Sequence, residues 1–158
     1  MSEHSRLRRL FIQSAGLIGA GMVASKAQAH HTESHFDEKS AHQLVYQCNH
    51  AGNDYIGHVL FSCGEMLRKY GDDIELVVTT FGPGVQLLGK NPTRPIAQEH
   101  RDRAKSLAAY GVAFHACGNT MKSLKWKDED IVEFASIVPI GAVDLMELQE
   151  KGFSYISW

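Results

Sequence analysis

The sequence predicts an α/β protein: a three-layer α/β/α sandwich built on a mainly parallel five-stranded sheet. Three observations carry that prediction. From residue 42 onward, short runs rich in apolar and β-branched residues alternate with stretches of helical period. Strands and helices alternating in this way, with short connections, are the pattern of a parallel sheet covered by helices on both faces. The connections are marked by glycine and proline. Finally, 44% apolar residues against a net charge of -2 in 158 residues provide a core, which excludes a wholly disordered chain. The balance of 16 basic and 18 acidic residues also excludes nucleic acid as the main partner, since phosphate backbones call for a concentrated basic surface.

Each element can be justified in turn. Residues 44–48 (LVYQC) read as the first strand. Ile56, Val59, Leu60, Cys63, Leu67 and Tyr70 follow at helical spacing, with Glu65, Arg68 and Lys69 turned away and Gly71 as the stop. Residues 74–81 (IELVVTTF) form the second strand, closed by Gly82-Pro83-Gly84, and a short helical turn covers 85–88. A loop at 91–95 (NPTRP) leads to a helix over 98–110, with Ala104, Leu107 and Ala108 inward and Gly111 as its end. Residues 112–117 (VAFHAC) are the third strand, after which Gly118-Asn119-Thr120 opens a helix that Asn119 or Thr120 could cap. The charge run at 127–130 (KDED) reads as a solvated helix start, with Asp128 capping a short helix over 131–134. Residues 136–138 are the fourth strand, 142–151 a helix stopped by Gly152, and 153–158 (FSYISW) the fifth strand.

The N-terminal part has a different composition. Arg6, Arg8 and Arg9 precede an apolar, glycine-rich stretch over 15–24, and Ala27-Gln28-Ala29 offers an A-x-A cleavage site. Residues 1–29 are therefore expected to be a signal peptide cleaved after Ala29. The apolar stretch is about half the roughly 20 residues of a membrane-spanning helix, so no permanent anchor is expected. Residues 7–13 (LRRLFIQ) resemble the twin-arginine export motif, which predicts folding before transfer to a periplasm. Residues 30–41 read as a polar, flexible lead-in whose His30, His31 and His35 could catch a transition metal or remain a solvated tail. Residues 42–158 then form one domain. The leader holds Arg6, Arg8, Arg9 and Lys26 against Glu3 alone, so the domain is more acidic than the whole chain.

In open parallel sheets, ligands gather beyond the carboxyl ends of the strands. Cys117 ends a strand where a helix begins, and N–H groups at such a junction favour thiolate over thiol. His115 shares its face two residues earlier and could assist proton transfer or be simply packed. Gly118 would let a ligand approach the backbone, beside Asn119 and Thr120. Cys48 and His50 occupy the corresponding position after the first strand, and Cys48 could face Cys117 if those strands were neighbours. Cys63 lies on an apolar helix face and reads as core. Gly82 and Gly84 resemble an anion-binding turn. The chain lacks G-x-G-x-x-G and the lysine of a phosphate-binding loop, so no nucleotide cofactor is expected, and around His115 and Cys117 no C-x-x-C or H-x-x-x-H spacing supports a metal site. No carboxylate pair or Ser/His/Asp set stands out.

Several blocks, in order, resemble the DsrE/DsrF-like family: residues 81–85 (FGPGV), 111–121 (GVAFHACGNTM), 138–143 (VPIGAV) and 148–156 (LQEKGFSYI). The segment around Cys117 is the most specific. The resemblance implies a flavodoxin-like fold, assembly into homo-oligomers of three or six copies, and, by analogy with sulfur-oxidising members, a cysteine at Cys117 that carries persulfide sulfur to a partner protein. The export signal departs from the cytoplasmic setting of those relays. The resulting expectation is a periplasmic protein that binds or relays sulfane sulfur on Cys117, needs no cofactor and meets a sulfur donor or acceptor protein. The alternative is a non-enzymatic oligomeric module that holds a small anion or a metal in the same pocket, with His115 and Cys117 among the ligands.

Overall fold

The computed structural model describes residues 40–158, so the leader at 1–29 and the histidines at 30, 31 and 35 lie outside the described residues. Nine regular elements follow in order: β1 (His42–Cys48), α1 (Asn53–Tyr70), β2 (Ile74–Thr80), α2 (Gln98–Ala109), β3 (Ala113–Cys117), α3 (Gly118–Ser123), β4 (Ala135–Val138), α4 (Gly141–Glu150) and β5 (Ser154–Ile156). Short 3-10 helices at Gly71–Asp73, Gly82–Leu88 and Asp128–Asp130 link them.

The five strands form one sheet in the order β4-β3-β2-β1-β5, and every pairing is parallel. Parallel neighbours cannot be joined by a tight hairpin, so each crossover must lay a connection over a face of the sheet. The larger core lies between one face and α1, α2, α3 and the Gly82–Leu88 helix. Ile56, Val59, Leu60 and Cys63 of α1 meet Tyr46, Leu76, Val78 and Phe114 of the strands there. The opposite face is covered by α4, whose Leu145 and Leu148 pack on Val45 and Val77. This single helix has to carry the chain from the β4 edge to the β5 edge, and it crosses β3, β2 and β1 on the way.

Two expectations are corrected. No helix forms over 131–134. Asp128–Asp130 is a 3-10 turn, Val132 donates its N–H to the Leu88 carbonyl at 2.9 Å, and Ile131 bridges Gly89 in antiparallel fashion. Extended pairing with the exit of the Gly82–Leu88 helix thus satisfies a backbone that a one-turn helix would leave largely unpaired. The fifth strand is also shorter than its apolar run, because β1 pairs with only Ser154, Tyr155 and Ile156.

Gly84 fixes how the end of β2 meets the end of β1. A Cβ at Gly84 would lie 2.0 Å from the Cys48 carbonyl oxygen and 2.5 Å from its carbon, so only glycine lets the two backbones touch. Substitution Gly84→Ala should therefore lower the unfolding free energy by about 3 kcal/mol in urea denaturation, the upper end of overpacking costs. Gly52 is the uncapped N-cap of α1, and a Cβ there would meet nothing within 4 Å. Gly52→Ser should instead raise the unfolding free energy by a few tenths of a kcal/mol.

Candidate functional site

Side chains alternate along β3. Phe114 and Ala116 enter the larger core, so His115 and Cys117 point to the face that α4 covers. Cys117 is 4% exposed and its thiol is free. The first turn of α4 comes down onto it, and the Gly141 N–H donates to Cys117 Sγ at 3.2 Å. Glycine permits that approach, since a Cβ here would stand 3.0 Å from Phe81 Cβ and 3.2 Å from Cys117 Cβ.

Thr120 supplies the second contact. Its hydroxyl accepts the Gly82 N–H at 3.0 Å and donates to the Cys117 sulfur. The N–H groups of Thr120 and Asn119 add to it, the latter also held by the Pro139 carbonyl at 3.1 Å. Burial pushes the Cys117 thiol up, but these donors together outweigh it and hold the thiol below its ordinary value.

Behind the thiol on the same face, His115 Nδ1 faces the Asp144 carboxylate at 2.9 and 3.1 Å. Thr79 of β2 donates its hydroxyl to Asp144 Oδ2 at 2.6 Å. The His115 and Asp144 side chains are 19% and 12% exposed. Sequence reasoning finds no such set because Asp144 lies 29 residues from His115. The available signal is an acid in the first turn of a helix that begins right after a strand. A small cavity of about 190 Å³ opens beside this dyad, lined by Val138, Pro139, Ile140, Val143, Asp144 and Glu147.

The remaining expected residues are placed differently. Asn119 and Thr120 cap nothing: they lie inside α3, whose N-cap is Cys117 itself. Gly82 and Gly84 offer no open anion cradle, since their N–H groups are taken by Thr120 Oγ1 and the Phe81 carbonyl; Gly82 reaches the sulfur only through Thr120. Gly118 sits against the Val138 carbonyl, 3.2 Å from where its Cβ would be, so protein fills the space expected for a ligand. Cys48 lies in the larger core, on the other face from Cys117, and β2 separates their strands. Burial pushes the Cys48 and Cys63 thiols each up to about 12. His50 is exposed, edge-on to Tyr55, and lines a separate open cleft of about 870 Å³ with Pro83 and Arg94. Among the described residues, no three His, Cys, Asp or Glu side chains gather as a metal site, and no helix is long and apolar enough to cross a membrane.

The fold and this site define a parallel α/β protein built around one activated thiol. The chain belongs to the DsrE/DsrF-like family, whose model matches residues 28–158. Membership supports a sulfur-relay-type role at the level of the family. Among solved structures, the chain is similar to MTH1491 from Methanobacterium thermoautotrophicum, a protein of unknown function, with a TM-score of 0.67 and 19% identity. It is also similar to the ychN protein from E. coli, with a TM-score of 0.61 and 13% identity. Each match covers 74% of this chain and 99% of the other, and at these identities the likeness shows the fold alone. No curated protein matches the chain.

Iodoacetamide should label Cys117 well before Cys48 or Cys63 at pH 7. Thr120→Val removes the hydroxyl donor, so the midpoint of the alkylation profile should move to higher pH, and the rate at pH 7 should fall roughly tenfold for each unit of that movement. An unmoved midpoint would show that the hydroxyl does not hold the thiolate.

Proposed function

We propose that the chain carries sulfane sulfur as a persulfide on Cys117 and passes it between thiols. One observation carries this reading: of three cysteines, Cys117 alone has a thiol lowered by donors, which come from the start of α3 and the first turn of α4. The thiolate is the form that attacks a persulfide. The same N–H and O–H groups stabilise the anion again when sulfur departs. Loading forms a bond between Cys117 Sγ and the outer sulfur of a donor persulfide and breaks the donor's S–S bond, leaving the donor as a thiolate. No outside oxidant is needed.

The setting we infer is a periplasm, reached by twin-arginine export with the leader removed after Ala29. Support comes from the Arg8-Arg9 motif, the apolar stretch and the A-x-A site in sequence. A homo-oligomer of three or six copies belongs to the same reading. Its support is the exposed apolar side of the start of α4, where Ile140 and Val143 line the cavity beside Asp144 and Met146 follows one turn later, apolar surface of the kind that partners cover.

Given a low-molecular-weight persulfide, the purified protein should gain the mass of one sulfur atom. Cys117→Ser should abolish the gain, while Cys48→Ser and Cys63→Ser keep it. A gain that survives Cys117→Ser would refute the assignment, and wild-type protein that takes up no sulfur but binds a small anion would favour a binding module. For the setting, the double change Arg8→Lys, Arg9→Lys should leave the full-length precursor in the cytoplasmic fraction, where the parent yields processed protein in the periplasm.

A further inference from the structure

We propose that Asp144 is a positioning residue that makes His115 the proton acceptor for the incoming thiol of the sulfur acceptor, a task separate from holding the Cys117 thiolate. This rests on the persulfide reading and adds to it a division of labour at the same site.

The contacts divide cleanly. Every donor to the Cys117 sulfur is an N–H or hydroxyl of Gly141, Thr120 or Asn119, and His115 is not among them. In a strand, residues two apart on one face stand about 7 Å apart, which is one intervening group rather than a direct contact. A carboxylate only accepts, so the ring nitrogen facing Asp144, Nδ1, carries a hydrogen, and in the neutral ring Nε2 is left with its lone pair. Thr79 also holds the carboxylate by donating to Oδ2, the oxygen nearer His115 Nδ1. A histidine oriented by a largely covered acid, with a second group orienting the acid, is the arrangement general bases use. The His115 ring is not sealed off, its side chain being 19% exposed, and Asp144 lines the small cavity between the exit of β4 and the first turn of α4.

The release step balances. An acceptor R–SH gives its proton to His115 Nε2, and its sulfur attacks the outer sulfur of the Cys117 persulfide. The S–S bond to Cys117 breaks, its electron pair stays on Sγ as thiolate, and the products are R–S–SH and the imidazolium. The acceptor thiol is oxidised to a persulfide as Cys117 is reduced. An acceptor that has no proton to lose bypasses the base.

That distinction supplies the test. Protein loaded on Cys117 with a small persulfide is mixed with glutathione or with sulfite at pH 7, where only about 3% of a free thiol is already thiolate, whereas sulfite still attacks as its dianion and leaves as thiosulfate. In Asp144→Asn, release to glutathione should slow about 30-fold, the factor by which a base can raise the thiolate share, while release to sulfite changes less than about threefold. His115→Gln should show the same selectivity and stands in if Asp144→Asn does not fold. Equal slowing with both acceptors would mean that the dyad merely shapes the Cys117 pocket, and no slowing with either would mean that it is idle; both overturn the proposal. A wild-type protein that never loads sulfur defeats the persulfide reading itself, an outcome visible before any acceptor is added.

Discussion

A covered sulfur held toward its charged form is the constraint around which the rest of this molecule is arranged. Removing a thiolate from water is costly unless hydrogen-bond donors replace the water it loses. Cys117 is almost fully covered, yet its thiol is held low. The donors that achieve this come from separate segments. The start of α3 follows Cys117 directly, Gly82 acts from the end of β2 through Thr120, and Gly141 arrives from the start of α4.

Chain topology explains why α4 can serve in this way. The first four strands are laid side by side in sequence order, with α1, α2 and α3 on one face; β5 then pairs with β1 at the far side. The connection between β4 and β5 must cross the whole sheet, so its helix begins over the end of β3 and runs toward β1. Its beginning brings the Gly141 N–H to the Cys117 sulfur and Asp144 to His115 and Thr79, and its later residues Leu145 and Leu148 supply the second core. The two faces thereby differ in purpose. One is a thick apolar layer around Tyr46, Ile56 and Phe114 that provides most of the packing, and the other is a thin layer with a hydrogen-bonded row of Thr79, Asp144 and His115.

How much of this is legible in the sequence follows from the range of the interactions involved. β1, β2 and β3 are readable because strands buried on both faces are continuous apolar runs, and α1 because its buried residues repeat at helical spacing. The shared face of His115 and Cys117 follows from local alternation alone. Asp144 is not readable as their partner, because nothing local to 141–150 records which strand the helix will cross. Thr120 reads as a cap in sequence and is not one for a related reason: its hydroxyl is drawn to Cys117 and Gly82, the latter 38 residues away. The stretch 131–134 carries helix-compatible residues, but a long-range backbone pairing with Leu88 and Gly89 prevails there. Gly84 has the sequence context of an anion turn, while its actual role is backbone contact with Cys48.

The placement of the other two cysteines has a chemical consequence of its own. Cys48 and Cys63 lie in the core on the far side of the sheet from Cys117. Cys48 is also two strand spacings away laterally, about 10 Å, beyond the roughly 7 Å that a disulfide tolerates. A sulfane sulfur is normally short-lived next to a second thiol, which converts it to a disulfide and expels hydrosulfide. Here the β-sheet acts as insulation between the reactive sulfur and the chain's own inert ones. On the persulfide reading proposed above, the lifetime of the sulfur on Cys117 is governed by molecules arriving from outside, because neither Cys48 nor Cys63 can reach it.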